Sequence, residues 1–300
     1  MSTLSAKVTS LEQVTARTVV SVDCNNGQRV RDAPIQTKRN GFRLGHVTIN
    51  ITGVCIEQFT ITRDDLTLVG AGPGAELRTP SGGGGIAINN SRRVDFNSLA
   101  ITNGSVVVAG NSKVSFLNVA FRNSPRFGLF VTGGRVTVSD SFFDGAGESG
   151  VFAWVGSTVE LYNTVIENSG GRGLELQIGA TAQVDRGSVV RNNGTGIGLW
   201  YNSTLDLRDA FVENNLGDGV TLVGGSTLLL GGPAVIRGNQ WSGIRLEDTS
   251  VAGSFAAGEI TGNGFGVFCT GPPGVAQIAS GGLGNVSGNT FADVVCPVNP

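Results

Sequence analysis

Residues 173–200 read GLELQIGATAQVDRGSVVRNNGTGIGLW, which is one complete repeat and the start of the next. Gly173 leads a segment of alternating apolar residues, and a turn of small residues connects it to a second alternating segment, Thr181-Ala-Gln-Val. A third short apolar segment ends on asparagine, Val189-Val-Arg-Asn192, and the pattern starts again at Gly196. Three strands and three turns fill the 23 residues of one repeat, so it has no room for a βαβ unit, which takes about 30 residues or more.

The same glycine recurs along most of the chain at intervals of 22 to 24 residues. It stands at Gly128, Gly150, Gly173, Gly196, Gly219, Gly243 and Gly266. A chain that repeats three short strands without helices can pair each strand only with its equivalent one turn later, which is a parallel β-helix. Weaker copies upstream extend the pattern, so the repeat predicts an all-β, single-domain solenoid of about eleven turns over residues 47–300.

Alternation within each glycine-led strand assigns its side chains to the inside or the outside. One predicted inward column is Leu129, Val151, Leu174, Ile197, Val220, Ile244 and Val267, and the other is Val131, Ala153, Leu176, Leu199, Leu222, Leu246 and Cys269. The asparagines that close the repeats are Asn168, Asn192, Asn214, Asn239 and Asn263. We expect their side-chain amides to bond along the axis and to the turn backbone, which is a structural role.

The composition excludes several classes of protein. The 47 glycines and 23 asparagines are poor helix formers, while 40% hydrophobic residues and a net charge of −2 exclude a disordered chain. The same charge leaves no basic footprint for nucleic acid, and no apolar run is long enough to span a membrane. The single histidine, His46, excludes Ser-His-Asp, Cys-His and histidine-rich zinc sites. We expect no metal and no cofactor.

The four cysteines lie in two pairs at opposite ends of the chain, Cys24 with Cys55 and Cys269 with Cys296. The even count and the placement predict one disulfide at each end, although buried free thiols are the alternative. Disulfides indicate an extracellular or secreted protein, while the first residues lack the basic and apolar regions of a signal peptide.

The N-terminal segments are expected to differ from the repeats. Residues 1–17 place Leu4, Val8, Leu11 and Thr15 at heptad spacing, which predicts a coiled-coil or helical stub and, with it, a possible homotrimer. A frayed tail is the alternative. Residues 18–46 are predicted to form an N-terminal cap that the Cys24–Cys55 disulfide ties to the first turn.

The pattern of glycine-led, threonine-led and asparagine-closed strands resembles the right-handed parallel β-helix proteins, the pectate-lyase-like superfamily. Val22-Asp-Cys24 with Gly53-Val-Cys55, and the run from Thr62 to Pro73, look like the start of exported bacterial members. The resemblance implies the fold, which serves lyases, hydrolases, epimerases, adhesins and tailspikes alike. The histidine and Asp-Pro-His-Asp elements of catalytic members are missing, so the resemblance carries over no catalytic residue.

The outward positions of the first strands contain the candidate site. The second residue after each glycine gives Phe130, Phe152, Glu175, Gly198, Thr221, Arg245 and Phe268, and the fourth gives Thr132, Trp154, Gln177, Trp200, Val223, Glu247 and Thr270. An aromatic strip with polar interruptions and a notch at Gly198 fits sugar rings or an extended apolar ligand. The predicted ligand-binding residues are Phe130, Phe152, Trp154, Gln177, Trp200, Tyr201, Arg172, Arg245 and Glu247.

Glu175 is the best candidate for a general acid or base, with Asp218 as a second carboxylate roughly 10 Å away by strand spacing. The other interpretation of Glu175 is a solvated surface acid. Arg172 and Arg245 are expected to pair with acidic sugars, although Arg245 with Glu247 also reads as a surface ion pair.

Three functions remain open from the sequence. The first is binding of a polysaccharide on this face, with lyase, hydrolase or epimerase activity as an addition. The second is a non-catalytic trimeric fibre or adhesin module, indicated by the heptad stub. The third is a biosynthetic enzyme that folds an apolar substrate in the aromatic groove.

Overall fold

The computed structural model describes residues 17–36, 45–81, 84–254, 258–271, 277–278 and 282–296. Within them every strand pairing is parallel, and each strand pairs with its equivalents one turn earlier and one turn later. Helical structure in this part of the chain amounts to two 3₁₀ segments, Cys24–Asn26 and Val30–Asp32, and no helix there has the length and apolarity to cross a membrane. The chain is therefore a single all-β domain, a parallel β-helix of three sheets, as the repeat predicts.

Each sheet collects one strand from every turn. The first sheet contains the glycine-led strands, Phe59–Ile61, Gly85–Asn89, Ser105–Ala109, Phe127–Thr132, Ser149–Trp154, Arg172–Gln177, Thr195–Trp200, Val220–Val223, Ser242–Leu246, Phe265–Cys269 and Ala292–Val295. The second sheet contains Thr18–Asp23, Val47–Thr52, Leu66–Gly70, Arg92–Asn97, Lys113–Leu117, Arg135–Ser139, Thr158–Tyr162, Thr181–Asp185, Thr204–Arg208, Thr227–Gly231, Val251–Ser254 and Gln277–Ile278. The third sheet contains Val54–Ile56, Glu76–Arg78, Ala100–Thr102, Ala120–Arg122, Phe142–Asp144, Val165–Glu167, Ser188–Arg191, Ala210–Glu213, Val235–Arg237, Glu259–Thr261 and Asn285–Ser287.

The core is a stack of apolar side chains enclosed by the three sheets. Leu129 pairs with Val151 and Val151 with Leu174, so the first predicted inward column is in register. All three are fully buried, as are Leu199 of the second predicted column and Leu205 of the second sheet. Each inward residue packs on its equivalents in adjacent turns, which is why the apolar positions must repeat with the turn.

A ladder of asparagines runs along the turns between the third and first sheets. Its members are Asn193, Asn215, Asn239, Asn263 and Asn289. The Oδ1 atom of Asn215 accepts from the backbone nitrogen of Asn193 at 3.0 Å and from its side-chain amide at 3.2 Å. The amide of Asn215 in turn donates to Oδ1 of Asn239 at 2.9 Å. The ladder therefore satisfies backbone donors that the turns would otherwise bury without partners.

The predicted ladder is present, but three of its five predicted members lie outside it. One of the three, Asn168, still bonds along the axis, because its amide donates to Oδ1 of Asp144 one turn earlier at 2.8 Å. Asn168, Asn192 and Asn214 are exposed, and their φ angles of 57°, 55° and 56° place them in the left-handed region. Asparagine and glycine tolerate this conformation best, and Gly238 takes the same place one turn later. The ladder residue is the one that follows.

The N-terminal end of the second sheet is the strand Thr18–Asp23, which pairs in parallel with Val47–Thr52. Val30 is fully buried at this end, and the Cys24–Cys55 disulfide joins the 3₁₀ segment Cys24–Asn26 to the strand Val54–Ile56 with a Cα–Cα distance of 5.1 Å. The boundary of the cap at residue 46 stays a prediction. The stub predicted for residues 1–17, and the trimer that depends on it, concern a segment outside the described residues apart from Arg17.

The C-terminal turn carries the second disulfide. Cys269 and Cys296 are bonded with a Cα–Cα distance of 4.6 Å, so both predicted disulfides are confirmed. Val294 pairs with the inward-facing Val267 of the preceding turn, yet 50% of its surface is exposed. The apolar core thus has a fully buried residue, Val30, at its N-terminal end and a half-exposed one, Val294, at its C-terminal end.

Candidate functional site

The outer face of the first sheet carries three columns of side chains, one more than the sequence predicts. The two predicted columns are present, because Phe130 pairs with Phe152 and Trp154 pairs with Gln177. The third column consists of the residues that precede the glycines, which are Phe127, Ser149, Arg172, Thr195, Asp218, Ser242 and Phe265. Strict alternation would turn these side chains inward.

The conserved place of glycine in the repeat explains the extra column. The glycine Cα points into the core, since a Cβ on Gly173 would lie 2.4 Å from Cγ1 of Val190. Only glycine fits there without displacing the core, and it interrupts the alternation of the strand. The preceding residue therefore points outward together with the second residue after the glycine.

Four rings form the first aromatic cluster, made of Phe127, Phe130, Phe152 and Trp154. The ring of Phe152 lies 5.0 Å from that of Phe127 and 5.1 Å from that of Phe130. The ring of Phe130 also lies 6.2 Å from that of Trp154, whose surface is 39% exposed. Offset rings at these distances make favourable contacts, and they leave apolar faces toward solvent. Phe127 was not predicted as part of the site, because alternation assigns the residue before a glycine to the inside.

Glu175 lies next to this cluster and is held by three side chains. Its carboxylate accepts from Oγ of Ser149 at 2.6 Å and from the amide of Gln177 at 2.7 Å, and Arg172 Nη1 lies at 3.4 Å. Glu175 is only 7% exposed, so the expectation of a solvated surface acid is wrong. Ser149 is a further residue that the sequence missed.

Trp200 folds back over its own strand instead of extending the aromatic strip. A Cβ on Gly198 would lie 2.1 Å from the indole of Trp200, so that ring lies directly over the glycine. The guanidinium of Arg172 lies 4.3 Å from the centre of the same ring, a cation–π contact. The notch predicted at Gly198 is therefore wrong, because Trp200 fills it. Tyr201 lies beyond the strand, with φ of 55° and 57% exposure.

A shallow depression of about 390 Å³ lies where the aromatic cluster meets the polar group. Its lining includes Phe127, Phe152, Ser149, Arg172, Glu175 and Gln177, together with Arg126 and Glu148. The depression thus has apolar ring surface on one side and ordered polar atoms on the other. Four of the predicted site residues meet here, namely Phe152, Glu175, Gln177 and Arg172.

Asp218 and Arg245 form a second polar group farther along the face. Asp218 is 7% exposed and accepts from the backbone nitrogen of Ser242 at 2.9 Å and from Oγ1 of Thr221 at 3.1 Å. Arg245 approaches Asp218 at 3.9 Å and Glu247 at 2.5 Å. The arginine is thus held between two carboxylates.

The two candidate catalytic carboxylates are not brought together. Glu175 and Asp218 belong to turns separated by the strand Thr195–Trp200, which puts them roughly 10 Å apart or more. Glycosidase pairs are about 5–5.5 Å apart in retaining enzymes and about 6.5–9.5 Å in inverting ones. The indole of Trp200 also lies over Gly198, in the strand between the two carboxylates. What the arrangement offers chemically is a row of fixed hydrogen-bond acceptors beside aromatic surface.

The face ends in a second aromatic cluster, made of Phe265, Phe268 and Phe291. The ring of Phe265 lies 5.1 Å from those of Phe268 and Phe291. Phe291 is 70% exposed. Five strand steps separate the strand of Phe152 from that of Phe265, which is roughly 24 Å along the axis. The polar groups around Glu175 and Asp218 lie between the two clusters.

These features together define a right-handed parallel β-helix with an aromatic and polar outer face. Residues 84–235 match the family described as the right handed beta helix region, and the chain belongs to that family. The resemblance seen in the sequence is confirmed. No curated protein sequence matches the chain.

Solved structures with a similar fold have low sequence identity to this chain. A mutant of the periplasmic alginate epimerase AlgG has a TM-score of 0.55 and 14% identity, over 78% of this chain and 65% of that one. Full-length tailspike protein 2 of the Escherichia coli O157:H7 bacteriophage CAB120 has a TM-score of 0.64 and 13% identity, over 82% of this chain and 42% of that one. ORF18 of Geobacillus virus E2 has a TM-score of 0.56 and 14% identity, over 91% of this chain and 60% of that one. The match spans less than two thirds of each of these proteins, and at such identity it shows the fold alone.

Proposed function

We propose that the protein binds a polysaccharide along the outer face of the first sheet. The observation that carries the proposal is the depression beside Glu175, where the rings of Phe127 and Phe152 face a carboxylate and an amide in fixed positions. Pyranose rings have an apolar face and a rim of hydroxyl groups. Aromatic surface covers the one, and oriented acceptors bind the other.

The length of the face supports an extended ligand rather than a small one. The depression is shallow, and the two aromatic clusters stand roughly 24 Å apart along the axis. Successive strands stand about 4.8 Å apart along the axis, so a chain molecule lying parallel to it would pass from the first aromatic cluster over the polar groups to the second cluster. An oligosaccharide of several units can contact both clusters, whereas a monosaccharide contacts one.

An exported location is part of the proposal. The two disulfides close opposite ends of the solenoid, and such bonds persist in oxidising compartments. A polysaccharide ligand is also encountered mainly outside the cytoplasm. Localisation of the full-length protein in cell fractions tests this part separately.

The test removes the ring surface without touching the core. Phe152→Ala with Trp154→Ala should weaken binding at least tenfold, because two rings each worth about 1 kcal/mol or more leave the contact. The probe is an array of neutral and acidic plant, algal and bacterial glycans, followed by calorimetry on whichever glycan the unmodified protein retains.

A matched control is available on another sheet. Phe211 is an outward-facing, partly buried phenylalanine of the third sheet, with Arg237 5.8 Å from its ring centre. Phe211→Ala removes a comparable ring and should leave binding unchanged. Equal binding by the double variant and the unmodified protein would contradict the proposal, as would an equal loss in the control.

Cleavage or epimerisation by Glu175 and Asp218 stays a prediction. The separation of the two carboxylates argues against hydrolysis by this pair, and the function that we propose is binding. Release of reducing ends or unsaturated products from a bound glycan, abolished by Glu175→Gln while binding persists, would replace it with a catalytic function.

A further inference from the structure

The arginines of the outer face are all directed at carboxylates of the protein itself. Arg126 makes two contacts with Glu148, at 2.8 and 3.2 Å. Arg172 lies 3.4 Å from Glu175 and is also stacked on Trp200. The third, Arg245, faces two carboxylates as described above. Each guanidinium of this described face therefore already has a protein carboxylate within 3.9 Å. The Nε atom of Arg245 has no hydrogen-bond partner, but it is buried.

The balance of charge on the face is slightly negative. Three guanidinium groups, those of Arg126, Arg172 and Arg245, face four carboxylates, those of Glu148, Glu175, Asp218 and Glu247. Arg172 and Arg245 are the only basic residues within the described strands of the first sheet. We expected these two arginines to pair with acidic sugars, but in the structure both already face carboxylates of the protein.

We infer that the face selects neutral glycans and discriminates against uronic-acid chains. The inference rests on the proposed function and names its ligand class. A uronate carboxylate on this face would have to displace a protein carboxylate from its arginine, or lie near one without compensation. A neutral hydroxyl has no such cost, because it donates to a carboxylate oxygen and gains a charge-assisted hydrogen bond.

The paired charges also define what the arginines do instead. Arg172 fixes Glu175 from one side while Gln177 and Ser149 fix it from the others. The acceptor atoms are thus oriented before a ligand arrives, which reduces the ordering cost of binding. The ion pair of Arg172 therefore orients the carboxylate of Glu175 and does not serve to attract an anion.

The first arm of the test compares ligands on the unmodified protein. The probes are a glycan array with neutral polymers and polyuronates, and polygalacturonate oligomers beside their fully methyl-esterified forms. We expect retention of neutral chains, with affinity changing less than about twofold when sodium chloride rises from about 0.05 to about 0.5 M. Retention of polyuronates with affinity that falls steeply with salt would overturn the inference, and equal retention of both classes would overturn it as well.

The second arm creates the missing cation. Glu148→Gln frees Arg126, and because the two side chains are 48% and 66% exposed, the fold should tolerate the change. This variant should gain retention of polyuronates by at least about fivefold at low salt, since one cation on the surface becomes unpaired. Glu160→Gln, which frees Arg135 on the second sheet, is the control and should gain nothing on the same probes.

The outcomes separate this inference from the proposed function. If acidic glycans bind and Phe152→Ala with Trp154→Ala abolishes that binding, the face binds glycans and only the inference fails. If no glycan binds the unmodified protein, both fail.

Discussion

Asn215 offers the sharpest test of what holds the solenoid together. It is fully buried, and its Oδ1 atom accepts from both the backbone and the side-chain nitrogen of Asn193. Asn215→Ala leaves the backbone N–H of Asn193 and one N–H of its side-chain amide buried without a partner, while that amide keeps its bond to the carbonyl of Ile166. The substitution also removes the amide donors to Val190 and Asn239. Each orphaned buried donor costs about 1–3 kcal/mol, so we expect the free energy of unfolding to fall by about 4 kcal/mol.

The neighbouring residue supplies the control, because Asn214 is exposed and contributes a left-handed turn. Asn214→Gly keeps that conformation and should cost less than about 1 kcal/mol. Thermal unfolding should therefore fall by roughly 8–16 °C for Asn215→Ala and by little for Asn214→Gly. Hydrogen exchange at the backbone amide of Asn193 should accelerate in the first variant only. Equal melting temperatures for the two variants would refute the structural role of the ladder.

Three further perturbations address the site and the ends. Gly198→Ala should displace the indole of Trp200, because the added Cβ would lie 2.1 Å from it, and tryptophan emission should shift to longer wavelength; an unchanged spectrum would contradict the stacking. Reducing the disulfides should lower the free energy of unfolding by roughly 3–4 kcal/mol per bond through restored loop entropy, and equal denaturation midpoints with and without reductant would argue against this. Hydrogen bonds from the side chain and backbone of Asn289 lower the pKa of Asp293 below its ordinary value of 3.8. The stability from this contact is present above that ordinary value and is lost as pH falls through the lower folded pKa, so Asp293→Asn should unfold with a weaker pH dependence in acid than the unmodified protein.

The fold followed from the sequence because a solenoid repeats its constraints. Glycines at near-constant spacing, apolar columns and closing asparagines each recur over several turns, so one misread repeat does not change the result. Leu129, Val151 and Leu174 were placed correctly for this reason. The same logic failed by one residue at Asn192, because two adjacent asparagines look alike in sequence and differ only in φ and burial.

The candidate site was predicted less well because it depends on departures from the repeat. Phe127 and Ser149 were missed, since alternation counted from the glycine turns them inward, and only the glycine's contact with the core shows otherwise. The sequence did contain a sign of this third column. The residues that precede the glycines include phenylalanine, arginine and aspartate, which are not the uniformly apolar residues of an inward column. The placement of Trp200 over Gly198 depends on a side-chain rotamer, and no spacing rule determines that.

The stacking of one turn on the next sets the distance between the two aromatic clusters of the outer face. Phe152 and Phe265 belong to one cluster each, and five strand steps of about 4.8 Å separate their strands. Adding or deleting one complete turn between them would change the distance between the two clusters by one strand spacing while leaving both clusters intact. A parallel β-helix can therefore change the spacing of two surface clusters by duplicating a repeat, with no change to the residues that form them.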